Sequence, residues 1–345
     1  MKKKNVINLI KYYAEKNDMG FRNEAYEIAR QFDTSGDYQL SEYIMSLLSD
    51  ANVFVPQAEE MDSPFFEKME GREDMLLLPD EITNDLLGVV NAIAHHIGIH
   101  KFLFQGAPGT GKTEAVRQLG RILNREIYVV DFSLVIDSKL GQTQKNLAQL
   151  FKEINHFRQP DKVLVLFDEI DALALDRTSQ NDLREMGRAT SALLREFDRM
   201  NEEVVLVATT NLYQYFDKAL VRRFDSVIDF NRYSQEDLLS IAEKMLDRYL
   251  DKLKLVNRDI RLFRKIMRLM PQLPYPGELK NLIKTAVAFS NPNDGMDYFR
   301  RLYYAVCNEK PTDLKKLQEQ KFTVREMEIL TGKSKSSVAR DLKEG

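Results

Sequence analysis

The stretch Lys101–Thr113, KFLFQGAPGTGKT, constrains this chain more than any other. A short apolar run, Phe102-Leu103-Phe104, stops at a loop holding Gly106, Pro108, Gly109 and Gly111. Lys112 and Thr113 follow, and then a helical pattern, EAVRQLGRIL. Gly106-x-x-x-x-Gly111-Lys112-Thr113 is a complete phosphate-binding loop in a strand–loop–helix setting. Glycines let backbone N–H groups turn inward around phosphates, and the start of the following helix adds its positive dipole end. Ala107, Pro108, Thr110 and Glu114 complete the set expected to line the nucleotide. Lys112 can reach β- and γ-phosphate oxygens, and the Thr113 hydroxyl can ligate Mg²⁺.

The elements around this loop predict an α/β core. Glu126–Asp131, Lys162–Phe167 (KVLVLF), Val204–Ala208 and Val227–Phe230 read as strands alternating with helices at Gly141–Ile154 and Arg184–Met200. That alternation implies a parallel sheet with helices on both faces and ligand chemistry at the carboxyl ends of its strands. Asp168 and Glu169 stand where the most apolar strand leaves the sheet. Asp168 suits the Mg²⁺ shell, and Glu169 suits polarisation of an attacking water.

With 345 residues, 43% apolar and 30% charged, the chain suits a soluble protein of two or three domains. A net charge of −3 advertises no global field for nucleic acid. The single cysteine, Cys307, excludes an internal disulfide or a Cys-rich zinc site and fits a reducing cytoplasm. No apolar run is long enough to span a membrane. His95, His96 and His100 lie close together, but adjacent helical positions face different ways, so surface or cap histidines are expected. Asp131 and Asp171 read as strand-end caps or ion-pair partners as readily as catalytic groups.

Four segments are expected. Residues 1–55 form an N-terminal helical domain, with stripes at Val6, Leu9, Ile10, Tyr13 and at Leu40, Tyr43, Ile44, Leu47. Ala51–Arg72, with Pro56 and Pro64, reads as a linker. Residues 75–232 form the core, and 233–306 turn wholly helical. Residues 311–345 form a separate small unit in which Phe322–Leu342, FTVREMEILTGKSKSSVARDL, is similar to a helix-turn-helix pivoting on Gly332. Lys333, Lys335, Arg340 and Lys343 make its second half basic, although Glu328 stands where an inward small residue is usual. Such a unit can contact DNA, pack, or dock a protein.

The phosphate loop, the acidic strand with DEIDAL, ATTN at the next strand end, and ALVRRFD beyond it together resemble the AAA ATPases within the AAA+ superfamily, in a stand-alone, single-ring bacterial or phage-type form. The resemblance covers about residues 75–290. It implies a RecA-like core with a helical lid, ATP and Mg²⁺ between them, and a homo-oligomeric ring, usually a hexamer. It implies that Asn211 senses the γ-phosphate and that Arg222 and Arg223 are fingers reaching a neighbouring copy. The function implied is an ATP-hydrolysing ring that remodels, loads or switches a partner protein, such as a companion protease or effector. The alternative is a DNA-directed ATPase acting as a transposition or replication helper. Lys139-Leu140-Gly141 occupies the place of the aromatic pore loop of many relatives, with Lys139 where they carry the aromatic. Gly277, in Pro276-Gly277-Glu278-Leu279, stands where other AAA+ branches carry a second-sensor arginine.

Overall fold

A computed structural model describes residues 3–15, 17–35, 37–48, 63–69, 77–136, 141–173, 190–215, 218–253 and 257–344. Lys139 and Leu140 of the expected pore loop lie outside these residues. The chain divides into two units, Met1–Pro64 and Phe65–Gly345.

The first unit contains α1 (Lys3–Ala14), α2 (Asp18–Thr34) and α3 (Tyr38–Leu48). Asn17 caps α2 by accepting the N–H of Gly20. Ala25, Ile28 and Ala29 of α2 are buried, while Ile7, Ile10 and Tyr13 of α1 face outward.

The second unit begins with β1 (Phe66–Lys68), α4 (Asp80–Ala94), β2 (Lys101–Gln105), α5 (Lys112–Leu123), β3 (Glu126–Val130), α6 (Phe132–Val135), α7 (Gln142–Asn155) and β4 (Val163–Phe167). It continues through α8, described over residues 190–197, β5 (Val205–Thr210), α9 (Lys218–Val221) and β6 (Ser226–Asp229). The sheet order is β1-β3-β4-β5-β2-β6. Every pairing is parallel except β1 with β3. Side chains alternate across a pleated strand, so each of the four inner strands, β3, β4, β5 and β2, feeds two cores. Leu103, Val165, Phe167 and Leu206 join α7 and α8 on one face. Phe102, Phe104, Leu164, Leu166 and Val207 join α4 and α5 on the other. Burial on both faces explains why β4 reads VLVLF without a polar residue.

Three expectations change. β1 lies inside the stretch read as a linker: Phe66, Glu67 and Lys68 pair with Val130, Val129 and Tyr128, and Phe65 is buried. An edge strand draws its stability from its partner rather than from its own composition. His100 is a buried core residue rather than a surface or cap one, 5% exposed beside β2, whereas His95 and His96 are exposed. The third change concerns the C-terminal segment. After the sheet come α10 (Gln235–Lys252), α11 (Ile260–Met267), α12 (Pro276–Ala288), α13 (Asp297–Cys307), α14 (Leu314–Glu319), α15 (Val324–Thr331) and α16 (Lys335–Glu344). One hydrophobic core runs from Leu238 through Phe263, Ile283 and Tyr303 to Leu317, Phe322, Met327, Leu330 and Val338. Residues 311–345 are therefore not a separate unit. Lys265 of α11 reinforces the join by donating to the buried Glu326 carboxylate (2.6 Å), and Arg300 of α13 donates to the Ile329 carbonyl.

Candidate active site

The phosphate loop turns between β2 and α5, with Gly109 and Gly111 in left-handed backbone (φ 78° and 96°) that side chains disfavour. It borders a cleft of about 430 Å³ shared by Pro108–Glu114, Arg117, Asp168, Glu169, Thr209 and Asn211 from the sheet side and Met245, Pro276, Gly277 and Lys280 from the helices beyond it. A larger hollow of about 1100 Å³ between α4, α5 and α10 contains none of the acidic strand-end residues.

Lys112 is only 7% exposed. Its ammonium donates to the carbonyls of Gly106 (2.7 Å) and Ala107 (3.0 Å) and to Asn211 Oδ1 (2.8 Å). Burial holds its pKa below the ordinary lysine value, while Asp168, Asp171 and Glu169 pull the other way. Thr113 Oγ1 lies 3.2 Å from Asp168 Oδ1. These two oxygens, at the helix start and the strand end, are the hard donors that a Mg²⁺ ion takes in ones and twos, completing its shell with waters and phosphates. The donor set fits that ion.

The acidic pair is organised by Thr209, a residue of the ATTN motif to which the sequence alone assigns no role. Thr209, 1% exposed at the end of β5, donates to Asp168 Oδ1 (2.6 Å) and accepts the N–H of Glu169 (2.9 Å). One hydroxyl thus orients Asp168 and pins the backbone of Glu169, which sits in the left-handed region (φ 51°). Such a conformation costs a non-glycine residue about 1 kcal/mol or more and persists only where its surroundings enforce it. Asn211 closes the cluster. Its Nδ2 donates to Glu169 Oε1 (3.2 Å), its Oδ1 accepts from Lys112, and its backbone N–H donates to Asp171 Oδ2 (3.0 Å). Asp171, left open by the sequence, is a buried positioning group for Asn211. Asp131 is a helix cap, accepting the N–H of Ser133.

The helices after the sheet touch the loop directly. The backbone N–H of Gly277 in α12 donates to the Gly109 carbonyl (2.8 Å), and a Cβ at Gly277 would lie 2.8 Å from Gly109 Cα. A side chain where other AAA+ branches place an arginine is therefore sterically barred in this arrangement. Tyr233, just before α10, donates its hydroxyl to the Thr110 carbonyl (2.7 Å), and Asn231 accepts the N–H of Ala107 (2.8 Å). Burial raises the Tyr233 phenol well above its ordinary value, so it remains a donor. Arg222 and Arg223 are not brought to this cleft. Arg222 is exposed, and Arg223 is bonded to Asp198 (3.2 Å) and to the Ala219 carbonyl.

Residues 102–232 match the model of the AAA family, ATPases associated with various cellular activities. Residues 102–232 are an AAA-family ATPase domain. An uncharacterised AAA family ATPase of Sinorhizobium fredii is 33% identical over 184 residues, 50% of this chain and 54% of that protein. A putative 26S proteasome regulatory subunit homologue of Methanothermobacter thermautotrophicus is 31% identical over 147 residues, 42% of this chain and 39% of that protein. A putative pachytene checkpoint protein 2 of Caenorhabditis elegans is 30% identical over 191 residues, 46% of this chain and 45% of that protein. The chain thus spans about half or less of the curated relatives it matches. Among solved structures, a chain of the E. coli MS115-1 HORMA:CdnC:Trip13 complex superposes with a TM-score of 0.56 at 18% identity. That superposition covers 72% of this chain and 97% of the other, and it shows a shared fold. The AAA domain here carries its phosphate loop, acidic strand and Asn211 in one hydrogen-bonded cluster. Among the described residues, no helix is long and apolar enough to cross a membrane.

Proposed function

We propose that the protein hydrolyses ATP in a Mg²⁺-dependent reaction at the seam between copies of itself, six in a ring, and uses the helices after the sheet to remodel or switch a partner protein. The observation that carries this reading is the Thr209–Asp168–Glu169–Asn211–Lys112 cluster, which aims a carboxylate, an amide and a cation at one cleft. The loop N–H groups hold the phosphates, and Lys112 neutralises the charge that builds on their oxygens. Mg²⁺, held by Thr113 and Asp168, would supply further charge neutralisation across the β- and γ-phosphates. Glu169 accepts the proton of the attacking water, and Asn211 keeps that carboxylate turned towards it. Arg222 and Arg223 of a neighbouring copy complete the site. Arg223 must first leave Asp198, and a finger of this kind is worth roughly 10³–10⁵ in rate.

Two relatives are named for a proteasome regulatory subunit and for a checkpoint protein. Those names support a protein partner, with a companion protease or effector as the specific candidate. The test is Glu169→Gln, which leaves the binding groups in place and removes the base. ATP should bind, turnover should stop, and affinity capture of the ATP-loaded variant should retain the partner. Near-normal turnover would remove Glu169 from its role, and DNA as the sole retained species would displace the protein-partner reading.

A further inference from the structure

The C-terminal helices present a surface that the ATPase chemistry does not use. α15 and α16 are joined by three residues, Gly332, Lys333 and Ser334, with Gly332 in left-handed backbone (φ 72°). Val338 of α16 is fully buried against Met327 and Leu330, and α14 closes the third side through Leu317. Two helices fixed by a short glycine turn form the arrangement that offers its second helix to a DNA groove.

Charge decides what such a face attracts. Residues 331–345 carry Lys333, Lys335, Arg340 and Lys343 against Asp341 and Glu344, in a chain whose net charge is −3. The acids around the turn are engaged within the fold. Asp341 is bonded to Lys333 (2.8 Å), Glu328 accepts the N–H of Lys335 (3.1 Å), and Glu326 is buried against Lys265. Glu328, the departure from the usual helix-turn-helix pattern, thus acts as a cap for the second helix. Lys335, Ser336, Arg340 and Lys343 are all exposed on α16. Arg340 approaches Asp341 at 3.9 Å.

We propose that α16 and the turn before it are a docking face for duplex DNA, with α16 in the groove and Lys335, Arg340 and Lys343 on the phosphates that flank it. The wide major groove of B-form DNA admits an α-helix, whereas the deep, narrow one of duplex RNA does not.

The test uses the full-length protein, because removing residues after Pro311 would strip Leu317, Leu330 and Val338 from the core they share with the preceding helices. Anisotropy of a labelled mixed-sequence DNA duplex is measured across a salt series for the parent, for Lys335→Glu with Arg340→Glu, and for Arg261→Glu. Arg261 is exposed on α11, and its reversal controls for two of the four units of charge that the double reversal removes. Binding is expected at low salt, and a duplex RNA of equal length should compete poorly. The double reversal should weaken DNA binding by about tenfold or more and flatten the salt slope by about one for each phosphate left without its cation. Arg261→Glu should leave binding near the parent's, and basal ATP hydrolysis should be unchanged in both variants. Any of three results would overturn the proposal: no DNA binding at low salt, equal weakening by Arg261→Glu, or duplex RNA competing as well as DNA. Loss of a copurifying protein partner without loss of DNA binding in the double reversal would assign α16 to protein docking instead. Because these variants leave the nucleotide cleft untouched, their outcome is separable from that of Glu169→Gln.

Discussion

Gly277→Ala tests whether the helices after the sheet are braced on the phosphate loop. Gly277 lies in the first turn of α12, and its φ is outside the left-handed region, so alanine suits the backbone there. On helix propensity alone the change would stabilise by about 0.5–1 kcal/mol. The new methyl, however, would sit 2.8 Å from Gly109 Cα and 3.2 Å from the Gly109 carbonyl oxygen. Both neighbours are backbone, so neither can rotate away. Overpacking of this kind costs about 1–3 kcal/mol, and losing the Gly277–Gly109 hydrogen bond adds about 1 kcal/mol. The clash wins, and the braced arrangement is disfavoured by about 1–3 kcal/mol, or about 5- to 150-fold. Binding of a fluorescent ATP analogue should weaken within that range, with turnover falling as well. Gly88→Ala is the matched control, a glycine in α4 whose added methyl meets nothing within 4 Å. It should raise thermal stability and leave nucleotide affinity alone. If Gly277→Ala behaves like Gly88→Ala, the brace does not exist in solution.

Three further outcomes are expected. Thr209→Val keeps the shape of a buried side chain but frees both Asp168 and the Glu169 backbone. Turnover should drop by about ten- to a hundredfold with little change in ATP affinity, and unchanged steady-state hydrolysis would remove Thr209 from the site. Mixing Arg223→Ala subunits with Glu169→Gln subunits should recover some hydrolysis, since each variant supplies what the other lacks; no recovery at any ratio would argue against sharing of the site between copies. Burial, and then the charge of Lys101, hold the His100 imidazole below its ordinary value of about 6.5. The unfolded chain therefore binds the proton that the native state refuses, so stability falls as pH drops through the ordinary histidine range. His100→Leu should lose less unfolding free energy than the parent between pH 7.5 and pH 5.5, as read by urea denaturation; an equal loss would place the acid sensitivity elsewhere.

Lys112, Thr113, Asp168 and Glu169 stood out because their chemistry is local, with residue type and spacing along one strand end or one loop, whereas Asn211 was named only through the family resemblance. The sheet was legible for a related reason, since strands buried on both faces must be apolar throughout, and Leu164–Phe167 is. Thr209 was visible only as a neighbour of Asn211, because its hydroxyl matters through residues on the next strand, a pairing set by the β4–β5 register. The Gly277–Gly109 approach joins segments far apart in the chain, and a glycine that fits such a place looks like any other glycine. Arg125 reads as an ordinary cation at a helix end, yet its guanidinium donates to the carbonyls of Pro160, Val163 and Glu203, tying together the starts of β4 and β5. β1 escaped notice because three residues at an edge leave no periodic trace.

The continuous apolar seam from Leu238 to Val338 has a mechanical consequence. Close-packed interiors transmit displacement instead of absorbing it, so a shift begun at the glycine pair beside the phosphate loop would pass from α12 through this one core to α16. By the same packing, a pull on α16 would be felt at Gly277 and, through its hydrogen bond, at Gly109.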